Sequence, residues 1–461
     1  MMTSRLLLSL AIAAGALASS CAPAGARPCR SDDQCEADER CDKADGDEVG
    51  RCAALSVAGD GGSKPLGDGG GGSDAGADVD AGADDDAGTR APDGGGDAGP
   101  PSSPVAAVQV AVGGGFQCAR TDEGTVFCWG YNSQGQLGRG EGLSVSTFYA
   151  PEEVPGLTGV TDLTLAEDHA CAIGTVGAAS GVFCWGAQSS GELGVPPGNA
   201  APGVPIQPVL PSSVHDAAAE LSSGERNTCV RTTGRQVWCW GAGIPGFVVQ
   251  GGPLEMTDLF GADSLEHSDG ALCARMSTGP TRCVGSAPVD LVGCSVASPS
   301  DCAALDDTHA FTFSSLTYCQ LDSADGQLRC AGDNDYGLVV PASPGPADEP
   351  LTALAVTGAD DLRLGPHFGC AVETDGDVTC WGRNLWGSTG RDATFGSLCM
   401  DNLARCQSPS LVPEIDPVDS IDTHDFTTCG VTASGAVWCW GRFAVEGDEG
   451  TTAPVRYQLR R

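Results

Sequence analysis

Seven cysteine pairs recur along this chain from residue 118 onward: Cys118 with Cys128, Cys171 with Cys184, Cys229 with Cys239, Cys273 with Cys283, Cys319 with Cys330, Cys370 with Cys380, and Cys429 with Cys439. Five of the pairs are ten positions apart. The first lies in CARTDEGTVFCWGYNSQGQLG, residues 118–138. There, two β-rich runs, Gln117–Arg120 and Thr125–Trp129, flank Asp122-Glu123-Gly124, the pattern of a hairpin with a glycine-containing turn. Folding about Glu123 sets Cys118 opposite Cys128. Opposed residues at a non-hydrogen-bonded site have Cα atoms about 4.5 Å apart, within reach of a disulfide. The two longer spacings, thirteen and eleven, carry their extra residues in the turn, at Gly174–Gly181 and Ser323–Gly326. Turns accept insertions, so these exceptions support the hairpin. Cys-Trp-Gly closes five hairpins, at Cys128, Cys184, Cys239, Cys380 and Cys439; two have decayed to Cys283-Val284-Gly285 and Cys330-Ala331-Gly332.

Twenty-three cysteines, mostly paired, imply an oxidising compartment. Residues 1–20 read as a signal peptide: Arg5 is the positive region, Leu6–Leu17 the apolar one, and Ala18-Ser19-Ser20 the small-residue cleavage site. Leu-Ala-Ser-Ser-Cys, ending at Cys21, resembles a bacterial lipobox, with Leu17 one place early and Ala18 in its slot. Lipidation of Cys21 leaves 22 cysteines, an even number. The expected location is an outer-membrane or cell-surface lipoprotein, held by that lipid alone; a secreted or periplasmic protein is the alternative.

After the lipid-anchored segment 21–28, residues 29–52 hold Cys29, Cys35, Cys41 and Cys52. A segment this short has no core of its own and reads as a small module with two disulfides, in any of three connectivities. No Cys-x-x-Cys occurs, which disfavours zinc. Residues 53–104 are rich in Gly, Asp, Ala and Pro, with Asp-Ala-Gly at Asp74, Asp80, Asp86 and Asp97. Such a stretch buries too little apolar area to offset chain entropy and is expected to be a disordered, self-repelling linker.

From Val105 to Arg461 the hairpins recur every 51 residues on average. That is the length of a propeller blade. An alternating run precedes a hairpin at Val105–Val112, Val160–Leu165, Leu351–Val356 and Val418–Ile421. A Pro-led outer segment follows at Pro151–Leu157, Pro208–Pro211, Leu411–Ile415 and Pro454–Leu459. The fold expected is all-β: a seven-bladed β-propeller with four-stranded blades over residues 105–461. Trp129, Trp185, Trp240, Trp381 and Trp440 are expected between blades. Cys294 with Cys302 and Cys399 with Cys406 lie in insertions and read as loop staples. Two modes of ring closure, strand exchange and blade by blade, stay open.

Val126–Gly138, VFCWGYNSQGQLG, resembles the signature of the regulator of chromosome condensation repeat. Supporting copies are Cys184–Gly194, Gly332–Leu338 and Cys380–Gly390; His169, two places before Cys171, also fits. The resemblance implies a seven-bladed propeller. The nucleotide-exchange activity of the family's founder is not expected to carry over, because an exported protein does not meet a nuclear GTPase. Nor is nucleic acid an expected partner. The propeller region has 16 Arg, no Lys and 42 Asp plus Glu, and such a surface repels phosphates.

The chain lacks HExxH, GxSxG and a phosphate-binding loop. Its six histidines, His169, His215, His267, His309, His367 and His424, are scattered, with no second ligand at metal spacing. Asp333 and Asp335 read as a turn rather than a calcium loop. No catalytic residue, metal or cofactor is assigned. The expected function is that of a monomeric, non-enzymatic binding or scaffold protein presenting a rigid propeller to a protein or glycan. The alternative is a polysaccharide- or glycoconjugate-acting enzyme with carboxylates in the propeller mouth. Mass spectrometry of the mature N-terminal peptide checks the anchor. A lipid-modified Cys21 is expected, and an unmodified terminus at any other residue excludes it.

Overall fold

A computed structural model describes residues 28–29, 39–42, 50–54 and 104–460, except 141–143, 197–202, 244–251, 269–270, 286–299, 315, 346–347, 395, 400–404 and 446–452. Two compact units divide near residue 94. In the first, Pro28–Cys29, Gly50–Ala54 and Glu39–Asp42 form an antiparallel sheet whose register sets Cys41 opposite Cys52. Cys21, Cys35 and the linker 55–103 lie outside the described residues.

The second unit is a seven-bladed propeller. The innermost strands of blades one to seven are Ala107–Val112, Leu157–Leu165, Ala218–Ser223, Ala262–Ser268, Thr308–Phe313, Ala359–Leu364 and Val418–His424. Each touches the next, and the seventh touches the first, so the ring is closed. Outward from each runs its hairpin, for instance Phe116–Thr121 with Val126–Asn132 in blade one and Thr427–Thr432 with Val437–Gly441 in blade seven. In every hairpin the two cysteines face each other in register. Disulfides join Cys118 to Cys128, Cys171 to Cys184, Cys229 to Cys239, Cys273 to Cys283, Cys319 to Cys330, Cys370 to Cys380, and Cys429 to Cys439, each with Cα atoms 4.1 Å apart. Every one of these bonds lies within its own blade, as the spacing implies.

The Pro-led reading holds in blade seven, where Val455–Tyr457 lies within Pro454–Leu459, and fails at Pro151–Leu157, Pro208–Pro211 and Leu411–Ile415, none of which is itself the outermost strand. The outermost strands are Ser144–Glu153, Leu254–Glu255, Ser300–Asp301, Glu349–Thr357, Arg405–Leu411 and Val455–Tyr457 in blades one and three to seven. Those of blades three and seven pair directly beside the second half-cystine, with Cys239 opposite Leu254 and Cys439 opposite Val455. Leu351–Val356 is the outer strand of blade five, paired to Gln327–Gly332, and not the inner strand of blade six. Alternation alone does not distinguish an edge strand from an inner one. Blade two is a three-stranded sheet whose fourth position is a single bridge, Cys184 to Ile206. Blade six has a fifth strand, Ser397–Leu398. Closure is blade by blade: the C-terminal segment supplies every strand of blade seven, and Leu459–Arg460 then pairs with Pro104–Val105 as a separate two-residue latch.

Between the blades lie seven apolar clusters, one at each junction. The five Cys-Trp-Gly tryptophans are fully buried there. Trp185, Trp240 and Trp381 each donate the indole N–H to a backbone carbonyl in the preceding blade's loop, at Gln136, Glu192 and Leu338, over 2.9, 2.9 and 3.0 Å. Gln136-Leu137 and Glu192-Leu193 of the repeat are thus a socket for the next blade's tryptophan. The glycine after the tryptophan is required for space. At Gly130, φ is +110° and a Cβ would lie 2.6 Å from the Gly115 carbonyl oxygen. The asparagine of the signature shapes the socket loop. Asn132 Oδ1 accepts the N–H of Leu137, and Asn334 Oδ1 accepts those of Val339 and Val340. Where the tryptophan is missing, Val284 fills the junction of blades three and four, and Phe311, Phe313 and Tyr318 fill that of four and five.

Trp185→Ala should cost about 3–5 kcal/mol, since it opens a cavity and removes the partner of a buried carbonyl. Chemical denaturation of the purified protein measures this as a lowered midpoint.

Candidate functional site

The inner strands line an axial channel of about 590 Å³ that all seven blades share. Its wall is held by polar side chains reaching from blade to blade. Gln109 of blade one donates to Asp162 Oδ1 and to the Leu163 carbonyl, over 3.0 and 2.9 Å. Asp162 Oδ2 accepts the Leu221 N–H of blade three at 2.7 Å, and Glu220 accepts the Leu265 N–H of blade four at 3.0 Å. Asp361 accepts the Ile421 N–H of blade seven at 3.1 Å, and Asp422 accepts the Val112 N–H of blade one at 2.8 Å. In blades one, three and six the residue that reaches forward is the third of the inner strand. These carboxylates satisfy backbone donors that the tilt between blades would otherwise strand.

Arg363 lies 2.8 Å from Asp361 and 3.8 Å from Asp422. Asp361 is the main cause holding its guanidinium firmly charged. Glu266 of blade four shares this network. Burial pushes its carboxyl up to about 7, opposed by Arg363 and reinforced by Asp361 and Asp422. Burial pushes His267 down to about 4 and His169 to about 3. His169 Nε2 is 2.8 Å from the Thr228 hydroxyl of blade three, which makes it a junction residue.

One mouth of the channel is formed by the turns between the first and second strands of each blade. It carries Glu167, Asp168, Glu225 and Asp425, with His424 and Arg226 close by. The loops after the third strands open on the same face, and across blades five, six, seven and one they build an aromatic–arginine surface. Tyr336 packs 4.3 Å from His367 and lies under Arg383, with guanidinium to ring centroid 4.6 Å. Arg383 also covers Phe426, which meets Trp386 edge-on at 5.0 Å. Arg442 lies between Trp386 and Phe443, 4.5 and 4.6 Å from their rings. Phe443 meets Tyr131 at 5.9 Å, and Tyr131 meets Phe148 at 5.6 Å. Most of these rings are half-buried, with a face or edge open to water. Trp386 has φ +54°, a left-handed conformation that costs a bulky side chain on the order of 1 kcal/mol.

The Cys399–Cys406 disulfide joins the residue after the fifth strand of blade six to the neighbouring strand Arg405–Leu411, and the pair packs against Tyr336 and Leu385. This staple therefore backs one end of the aromatic surface. Cys302 is disulfide-bonded, while Cys294 lies outside the described residues. Asp333 accepts the Asp335 N–H at 2.7 Å, closing a plain turn. The histidines are less scattered than their spacing suggests: His267, His309 and His424 all line the channel. Sequence reasoning missed the aromatic surface, the blade-to-blade carboxylates and the gathering of His424 with Glu167. Only the forward-reaching acid had a signal, an Asp or Glu in the inner strand directly before a Leu, as at Asp162-Leu163, Glu220-Leu221 and Asp361-Leu362.

Residues 123–173 match a model of the regulator of chromosome condensation (RCC1) repeat, and residues 107–136 match a second model of that repeat. Residues 107–173 are thus similar to the RCC1 repeat. The RCC1 domain-containing protein RUG3, mitochondrial, from Arabidopsis thaliana is 29% identical over 190 residues, 38% of this chain and 41% of that protein. The chain thus spans less than half the length of this curated relative. Among solved structures, yeast RCC1 (Prp20) bound to Kap60 superposes with a TM-score of 0.62 at 17% identity, over 76% of this chain and 84% of that one. Prp20p from Saccharomyces cerevisiae, described with its binding properties to Gsp1p and histones, gives 0.62 at 17% identity, over 77% and 87%. These likenesses show the RCC1-type propeller fold.

Glu266→Gln separates charge from shape in the channel. A carboxyl raised in the folded state binds more protons there than in the unfolded chain between about pH 4.5 and 7. Its contribution to stability is therefore present below that window and lost as pH rises through it. His169 and His267, lowered by burial, act in the opposite sense below pH 6.5. The melting temperature of Glu266→Gln minus that of the wild type should therefore increase from pH 5 to pH 7.5. Thermal scans across that range check it.

Proposed function

We propose that this chain is a non-enzymatic binding protein that presents the surface from Tyr336 to Phe148 to a protein partner bearing basic residues. The observation that carries this reading is the run of Tyr, Trp, Phe and Arg side chains stacked across four blades at one mouth. Half-open aromatic rings and guanidinium groups are the side chains that dominate protein–protein binding energy. The acidic mouth beside them, on a propeller of formal charge −26, favours a cationic segment and disfavours nucleic acid. RCC1-type propellers serve as binding scaffolds: the yeast protein is seen bound to Kap60. In this reading, residues 1–20 export the chain, a lipid on Cys21 anchors it, and the acidic linker holds the propeller off the membrane as a monomer.

The enzyme alternative rests on the carboxylates of the mouth. Those of the wall beneath accept N–H groups from neighbouring blades and hold the ring together, which is a structural role.

The mature full-length protein, immobilised and exposed to envelope and secreted extract of its source at low and moderate salt, should enrich a partner. Trp386→Ala with Arg442→Ala should weaken that capture at least ~30-fold, the factor that corresponds to a hot-spot loss of about 2 kcal/mol. No enrichment, or capture that the double variant retains, overturns the reading. Capture abolished by periodate oxidation of the extract would mark a glycan instead.

A further inference from the structure

Glu167 belongs to blade two, yet its carboxylate reaches blade seven. It passes over the Gly113-Gly114-Gly115 turn of blade one, where a Cβ on Gly114 would sit 2.6 Å from Glu167 Cδ and 2.7 Å from its Oε1. The glycine run leaves room for a side chain from blade two to cross blade one. At its end, Glu167 Oε2 lies 3.6 Å from His424 Nε2, and His424 Nδ1 lies 4.0 Å from Asp425 Oδ1. One donor atom from each of the three residues lies within 4.8 Å of the other two.

We propose that Glu167, His424 and Asp425 bind a first-row divalent cation of the zinc type at the mouth of the channel. Donors held tetrahedrally at about 2.1 Å from a metal lie about 3.4 Å apart, so, with one donor atom from each residue, the side chains need to close by at most about 1.4 Å. An imidazole with two carboxylates suits zinc and its neighbours. Calcium and magnesium prefer all-oxygen sites. Asp168 and Glu225 add further negative charge to the same mouth, against Arg226. A dication offsets that excess. Three protein donors leave a fourth position open to the channel, for water or for a group from a bound partner.

The place of the site in the ring gives the cation a structural task. Blades seven and one meet where the two ends of the propeller chain come together, joined by the latch of Leu459–Arg460 with Pro104–Val105. A metal held by blades two and seven spans that seam from above and clasps it. Binding to the folded ring but not to the unfolded chain raises its stability.

The test uses the mature full-length protein, stripped with chelator and titrated with zinc chloride by calorimetry, with melting temperature read in parallel. One equivalent should bind tightly and raise the melting temperature. Glu167→Gln, His424→Gln and Asp425→Asn should each weaken binding at least tenfold, with metal-free melting temperatures unchanged. Glu225→Gln, which removes nearby charge but no donor, should weaken it less than threefold. Calcium chloride alone should bind this site at least a hundredfold more weakly. Absence of stoichiometric zinc binding, zinc binding that survives all three donor substitutions, equal affinity for calcium, or a Glu225→Gln loss as large as that of Glu167→Gln would each overturn the proposal.

Discussion

No blade of this protein can keep water off its own two faces. A four-stranded sheet of short strands has apolar residues on both sides, and each side must be covered by a neighbour. The ring answers that need with an apolar cluster at each of its seven junctions. Into five of them a tryptophan inserts, and three of these also bond a carbonyl of the blade before. At the axis, carboxylates reach forward to the backbone of the next blade. Both devices act between blades, and so both depend on closure. The hairpin disulfides act within blades. Each constrains a ten- to thirteen-residue segment, worth roughly 2.5–3 kcal/mol in the chain-entropy model, and none ties one blade to another.

Repetition explains the scaffold, and departures from it make the candidate site. Trp386 occupies the loop position that Gln134 holds in blade one, and Phe443 the position of Asn132. Arg383 and Arg442 replace Tyr131 directly after the glycine of the Cys-Trp-Gly motif. These exchanges put large rings and guanidinium groups on one half of one face. The corresponding places in blades two and three are Ala187 and Ala242. The same logic holds at the mouth, where blade one has three glycines and blades two and seven have Glu167-Asp168 and His424-Asp425. A surface varied in this way costs the fold little, because the socket residues beneath it stay in place.

Much of this architecture was legible in the chain itself. Cysteine spacing gives the hairpin, its register and its turn. Recurrence at 51 residues gives the number of blades, and burial of the tryptophans follows from their place after the second cysteine. The outer strands were harder to read. Glu349–Thr357 alternates as an inner strand does, and Ile206 pairs through a single bridge. An edge strand is selected by whatever hydrogen-bonding groups its neighbour leaves open, and that is a property of the assembled sheet. The site was nearly invisible, because its residues come from blades that lie far apart in the chain.

What the amino-acid sequence determined alone is therefore everything with a short range and a repeat: paired half-cystines, glycine at a left-handed position, an asparagine that folds its own loop. Those interactions close within one unit, and a unit can be read by itself. Tertiary structure decided what meets across the ring. It set the latch between Leu459 and Val105, the carboxylate handed to the next blade from the inner strands of blades two, three, six and seven, and the approach of Glu167 to a histidine 257 residues further on. The angle through which each blade turns from the last decides which side chains converge at the axis, and that angle exists only once all seven have packed.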